Sequence, residues 1–319
     1  MTYRPLRRGA ISAFALVALS LWAYGYIRSH PSVIDGFRSV SLPYMAVLSV
    51  LVVGIFATNG LYTRIILSAY GFHLSHRDSF LLAVATTASN YLLPARSGAG
   101  LRAVYLKRRM GFSFVDFVAT LSGLYLIVLM VNGGLGLVSV ALLAANGRPF
   151  DPWVSAGFLG AGLMAGSAMF IPVDLSVDAM FPVGQLARVI DGWKMLRNHN
   201  RLLRKLAAVV ACQSLLMFVQ TTVAFRAFGL SVPVADALFF TSAKSLALLT
   251  AITPGALGIV EWLSVYMANN LTFSPQEAFM AQGLMRTITI ATAFALGPVA
   301  VFALGIPLRH QKTPETGGA

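Results

Sequence analysis

Apolar residues run in long blocks along this chain, and polar residues collect in short stretches between them. A helix needs roughly 20 apolar residues to cross a hydrocarbon core of about 30 Å, and blocks of that kind recur from residue 10 to residue 305. The pattern predicts six full spans, at about 10–27, 43–68, 115–144, 153–172, 205–227 and 276–305. Two further apolar segments, 79–107 and 237–270, do not read as simple spans: Pro94 interrupts the first and Pro254-Gly255 the second, with glycines following at Gly98, Gly100 and Gly258. Proline removes a backbone donor and leaves a carbonyl of the preceding turn without its bond, and hydrocarbon holds no water to replace it. Such breaks survive only inside protein or beside a wet cavity. Each segment is therefore expected to be a re-entrant hairpin of two short helices, with one kinked span as the alternative.

The blocks also repeat. Ala69-Tyr70-Gly71 followed by Asp78 matches Ala227-Phe228-Gly229 followed by Asp236. Further on, Pro94 and Gly98 align with Pro254 and Gly258, and Ser113-x-x-Asp116 aligns with Ser274-Pro275-x-Glu277. Both of the last are helix-start signatures, a serine cap supported by a carboxylate three residues on. Each unit, 43–144 and 205–305, thus reads as a span, a hairpin and a capped long span. In the predicted topology the second span runs inward and the fifth outward, which makes the repeat an inverted one. Secondary transporters built this way hold their site between interrupted segments near the bilayer midplane. The fold class expected is an all-α polytopic membrane protein, one integral domain over residues 1–319, with about six transmembrane helices and two re-entrant hairpins.

Composition agrees with lipid as the main solvent: 57% hydrophobic residues, 11% charged and a mean hydropathy of +0.74 leave too little polar surface for a soluble globule. A net charge of +13 could suggest nucleic acid, but the basic residues follow a topological logic. With the N-terminus inside, seventeen lie in cytoplasmic segments, in clusters at Arg4–Arg8, Arg77–Arg109, Arg188–Lys205 and Arg309–Lys312. Only Arg28, Arg38, Arg148 and Lys244 lie outside, as the positive-inside rule requires. The first apolar run resembles a secretory signal but is long and lacks an A-x-A site, so a retained span is expected. Cys212 is the single cysteine and excludes a disulfide framework; within its apolar stretch it reads as a small packing residue. His73 and His76 have no clustered carboxylate or thiolate, which is too little for a metal. No nucleotide-binding G-x-x-x-x-G-K-[ST] loop is present, and no nucleophile stands beside a recognisable base. Neither a cofactor nor an enzymatic activity is expected.

Ionisable groups at membrane depth are costly and invite a functional reading. Lys244, Glu261 and Arg286 stand out in the second unit. Glu261 is expected against Lys244 or Arg286 beside the break, leaving a surplus cation for a phosphate; a closed ion pair pinning the hairpin is the competing reading. Arg96 and Arg102 flank the first break, where the guanidinium fork could grip phosphate oxygens or mark the cytoplasmic interface. Lys107, Arg108 and Arg109 read as generic contacts to anionic head groups. Asn59, Gln213, Gln220 and Gln282 could line a path or bond between helices, and Gly162 and Gly166 read as a close-packing pair.

The strings NYLLPARSGAGLRAVYLKRRM, from Asn90 to Met110, and TPGALGIVE, from Thr253 to Glu261, resemble the two hallmark regions of the lysylphosphatidylglycerol synthase transmembrane-region family, similar to the flippase half of the bacterial multiple peptide resistance factor. Pro94, Arg96, Gly98 and Arg102 match the first motif, and Pro254, Gly255, Gly258 and Glu261 the second. The acidic residue commonly following the first glycine is here Ala99. The resemblance implies movement of an anionic or aminoacylated phospholipid, or another lipid-linked head group, between leaflets, with membrane phospholipids as partners. A bacterial cytoplasmic membrane is expected, and the charge pattern places both termini on the cytoplasmic side. The soluble synthase domain of the two-part relatives is expected to be missing. A membrane-embedded enzyme using Glu261 as a base is the alternative, a small-solute transporter a third, and a homo-oligomer stays open.

Overall fold

The structure, a computed structural model, describes residues 24–25, 28–29, 37–92, 97–170, 199–249 and 253–305. The predicted first span lies outside them except for residues 24–25, and Pro94 and Arg96 lie outside them too. All regular structure among the described residues is helical, and the protein is an all-α, multi-pass membrane protein. Four helices are long and apolar enough to span a bilayer: α1 (Leu42–Ala69), α4 (Phe114–Ala145), α6 (Asn200–Arg226) and α9 (Pro275–Ala303). A further apolar helix, α5, covers Pro152–Phe170. Their outer faces carry Val50, Leu163, Leu215 and Val299, each at least 60% exposed, which hydrocarbon tolerates and water penalises.

Helix ends follow their local chemistry. Ser113 and Ser274 cap α4 and α9, each hydroxyl accepting from the amide three residues on, at 3.1 Å from Asp116 and 3.3 Å from Glu277. The matched strings after α1 and α6 end in the same turn: Gly71 and Gly229 take φ of +79° and +77°. Phe72 and Leu230 donate back to the carbonyls of Leu67 and Phe225, the six-residue closure that a left-handed glycine permits. One boundary differs from expectation, because α6 starts at Asn200 rather than near 205. Arg201, Arg204 and Lys205 extend the helix past the apolar block, their stems along it and their charges toward water.

Each proline-marked segment holds more than one helix among the described residues. The first consists of α2 (His76–Leu92) and α3 (Ser97–Met110). The second consists of α7 (Val234–Ala247), a single 3₁₀ turn at Pro254–Ala256, and α8 (Ile259–Ala268). At 17, 14, 14 and 10 residues, these helices reach only about 15 to 26 Å, short of a full crossing. One cluster joins Leu67, Leu74, Leu82, Tyr105, Leu106, Phe112 and Phe117, so α2 begins and α3 ends at the same pole of the bundle. A second cluster joins Leu48, Leu143, Phe225, Ala235, Phe239, Met267, Ala268 and Ala278, so α7 begins and α8 ends together as well. The long helices give these poles their direction: α1 starts in the second cluster and finishes in the first. Each segment therefore begins and ends at one pole of the bundle, the first at the pole opposite the second.

Close helix approach depends on particular glycines. A Cβ on Gly98 would lie 2.1 Å from the Thr86 carbonyl oxygen, and one on Gly60 2.8 Å from the Ser79 backbone, so α3 and α1 press on α2 without side chains between. In α4, Gly136 meets the Phe158 ring at 2.4 Å by the same measure, and Gly133 the Gly162 amide nitrogen at 3.1 Å. Side chains added at Gly162 or Gly166 would meet nothing within 4 Å. The small residues that permit the α4–α5 contact thus lie on α4, not in the expected pair. Cys212 is exposed on the outer face of α6 rather than packed within. Gly98→Ala should lower the thermal midpoint of the detergent-purified protein, an overpacking cost of about 1–3 kcal/mol. Gly134→Ala, where an added Cβ meets nothing, should leave that midpoint unchanged.

Candidate functional site

The breaks leave backbone carbonyls without intrahelical donors, and one arginine collects them. Gly255, Ala256 and Gly258 take φ of +57°, +53° and +79°, which turns the carbonyls of Gly255 and Ala256 away from any helix ladder. Arg286, from the middle of α9, donates Nη1 to the Gly255 oxygen and Nη2 to the Ala256 oxygen at 3.4 Å. Its Nε donates to Glu261 Oε1 at 2.8 Å, and Nη1 also reaches the Tyr91 hydroxyl at 3.4 Å. Tyr91 lies in the last turn of α2, so this guanidinium ties α9 to the inner ends of both segments. A Cβ on Gly255 would lie 2.5 Å from the Tyr91 ring; this position requires glycine both for its φ and for that approach.

Glu261 is fully engaged. Its Oε2 accepts from the Gly258 amide at 2.7 Å, capping α8, and Oε1 accepts from Arg286 and, at 3.5 Å, from Gln282. Glu261 and Arg286 are 8% exposed and form the closed pair beside the break. Lys244 is the cation left over, but it does not face open space. It is 4% exposed, its Nζ lies 3.3 Å from both Thr221 Oγ1 and Met285 Sδ, and the Phe240 ring lies 5.9 Å away.

Next to this junction lies a cavity of about 310 Å³. Its wall combines Asn59 and Tyr62 of α1, Thr86, Asn90 and Tyr91 of α2, Ala99 and Arg102 of α3, Asn132 of α4, Gln213 and Ser214 of α6, and the Gly255–Ala256 turn. Gln213 Nε2 donates to Asn59 Oδ1 at 2.9 Å, and the Ser214 hydroxyl donates to Asn132 Oδ1 at 3.0 Å. Lys244, Glu261, Arg286, Gln220 and Gln282 do not line it. Of the charged site residues read from the sequence, Arg102 alone is both described and in the wall, where Asn59, Gln213 and Gly255 join it.

Arg102 differs from Arg286 in one respect that matters. It is 7% exposed, yet no carboxylate pairs with it among the described residues. Nε donates to Thr86 Oγ1 at 3.3 Å and Nη1 to Thr63 Oγ1 at 3.1 Å, and the Tyr62 ring lies 5.8 Å away. A guanidinium has five N–H donors; two are engaged by hydroxyls, and three have no protein partner among the described residues. A buried cation held by neutral hydroxyls can offer its remaining donors to an anion.

Sequence reasoning missed a second pair. Arg148, in the α4–α5 turn, forms a two-pronged contact with Asp236 at the start of α7, Nη2 to Oδ2 at 3.0 Å. Asp236 is wholly buried and also accepts from the Thr272 amide at 2.8 Å and from its hydroxyl, closing the mouth of the second hairpin. The bond to Asp236 raises the Arg148 pKa from its ordinary value. The only sequence signal was the matched aspartates, Asp78 and Asp236; the partner lies too far along the chain to be read.

A sequence model described as the lysylphosphatidylglycerol synthase TM region matches residues 10–297 of this chain. No curated protein matches it.

Removing a charge beside Arg286 and removing Lys244 should have opposite effects on stability. Glu261→Ala strands the Arg286 charge and should cost about 3 kcal/mol or more, read as a large fall in thermal midpoint. Lys244→Met removes a charge that has no acid partner and should leave the midpoint unchanged or raise it.

Proposed function

We infer, for a chain that belongs to the lysylphosphatidylglycerol synthase TM region family, that the protein is a lipid translocase whose cavity passes the head group between leaflets while the acyl tails stay in the bilayer. The observation that carries this reading is Arg102, a buried guanidinium with open donors in a polar cavity. Lipid phosphate is the ligand that such a fork holds best, by paired, charge-assisted hydrogen bonds. At about 310 Å³ the cavity stands at the small end of ligand sites, with room for a head group and none for two acyl chains.

The bundle supports the mechanism. In our reading the two broken hairpins are re-entrant, the units 43–144 and 205–305 form an inverted repeat, and rocking of one unit against the other alternates access. Tyr91 against Gly255, with Arg286 bridging them, is the contact that such rocking would remake. Orientation follows from charge. Arg64, Arg77, Lys107, Arg108, Arg109, Arg201, Arg204 and Lys205 gather at the pole where the first hairpin opens, against Arg38, Arg148 and Arg226 at the other. The positive-inside rule makes the first pole cytoplasmic, in a bacterial cytoplasmic membrane with both termini inside. Because no fuel site is evident in the sequence, movement would be downhill or coupled to an ion gradient. An embedded enzyme using Glu261 as its base finds less support, since that carboxylate is capped, paired and outside the cavity wall.

Arg102→Gln should cut leaflet exchange of labelled phospholipid in reconstituted liposomes by about tenfold or more, the weight of a lost charged hydrogen bond. Insertion and purification should stay normal. Full exchange activity in that variant would remove this reading, as would acceleration of no lipid by the unaltered protein.

A further inference from the structure

We propose that the head group this cavity takes is the phosphate ester of an uncharged polyol, of the glycerol phosphate or sugar phosphate kind, and not an aminoacylated, cationic one. The proposal rests on the cavity being the head-group path, and it names the substrate class of that same site.

The wall's chemistry makes the choice. Among its described lining residues the one charged side chain is Arg102. The nearby carboxylate, Glu261, is turned out of the wall and spent on Arg286 and the Gly258 amide. Everything else polar there is neutral. Asn59 receives the Gln213 amide on its oxygen, which leaves the Asn59 amide nitrogen and the Gln213 carbonyl oxygen without protein partners among the described residues. That adjacent donor and acceptor suit a hydroxyl, which gives one hydrogen bond and takes another.

An aminoacyl head group asks for something else. Once its phosphate has met Arg102, its ammonium groups still enter a wall that carries a fixed like charge and, among its described residues, no carboxylate. Desolvated without a counter-ion, such a group is strongly disfavoured, whereas a hydroxyl is not. Ala99 marks where the missing anion would stand. It lies in the wall, half-buried in the first turn of α3, three residues before Arg102 and so on the same helical face. A carboxylate there would reach both the cavity and the guanidinium, in a helix turn that favours negative charge.

The test compares phosphatidylglycerol with its lysyl ester. Binding to the purified protein is read by native mass spectrometry, leaflet exchange is read in phosphatidylcholine liposomes, and soluble glycerol phosphate serves as competitor. Phosphatidylglycerol should be preferred by at least about tenfold, and Ala99→Asp should shrink or reverse that ratio. Should Ala99→Asp not fold, Arg102→Gln should erase the preference instead. Equal or stronger binding of the lysyl ester overturns the proposal, as does binding of neither lipid. Preferred binding of phosphatidylglycerol without exchange leaves the head-group assignment standing and removes the translocase reading; faster exchange of the lysyl ester does the reverse. Displacement by glycerol phosphate at matching affinity keeps the polyol phosphate chemistry and moves it from a lipid to a solute.

Discussion

Backbone carbonyls cannot be left bare in hydrocarbon, and this architecture turns on how that demand is met at the second break. Gly255 and Ala256 leave the helix ladder at positive φ, and their oxygens find donors on Arg286. A guanidinium at membrane depth then needs an anion, which Glu261 supplies. Glu261 in turn is held by the Gly258 amide that it caps. Each link satisfies the polar demand that the previous one creates, so the hairpin tip, α8 and α9 form one unit. Tyr91 brings the tip of the opposite hairpin onto the same guanidinium. The second break thus meets the end of α2 inside the bundle, where non-helical backbone is tolerated in a membrane.

Against that closed chain the neighbouring cavity is open-ended. Arg102 is buried as Arg286 is, but hydroxyls of Thr63 and Thr86 hold it in place of a carboxylate. Hydroxyls position a guanidinium without neutralising it, so the charge is aimed and unspent. The surrounding amides, Asn59, Gln213 and Asn132, are cross-linked by hydrogen bonds between α1, α4 and α6. That pre-organises the wall and lowers what a head group must reorder on entry. In our proposal this one cation anchors phosphate, and the amide pair is left for whatever the phosphate carries. Sorting the cations by partner, rather than by depth in the sequence, separates binding from bracing.

Much of this was legible in the sequence, for local reasons. Ser113, Ser274, Gly71 and Gly229 write helix ends in a few residues, and Pro254-Gly255 announces a break that no apolar block hides. The roles of the charges were less legible because pairing is tertiary. Nothing local says that Glu261 takes Arg286 and not Lys244, or that Lys244 turns toward Thr221 and Met285. The Arg148–Asp236 latch joins residues far apart in the chain, and only the fold brings them together. Small-residue spacing misled at Gly162 and Gly166 because spacing marks a helical face without saying what faces it. Cys212 misled for the same reason, since an apolar helix in lipid exposes apolar positions as readily as it buries them.

The central claim is that an unneutralised guanidinium in the cavity wall holds lipid phosphate. An experimental density map of the protein in nanodiscs containing phosphatidylglycerol tests it most directly. Phosphate density within hydrogen-bond reach of Arg102, with the tails running outward between helices, is the result this account predicts. A carboxylate of the protein paired with Arg102, or lipid density confined to the outer surface, would contradict it.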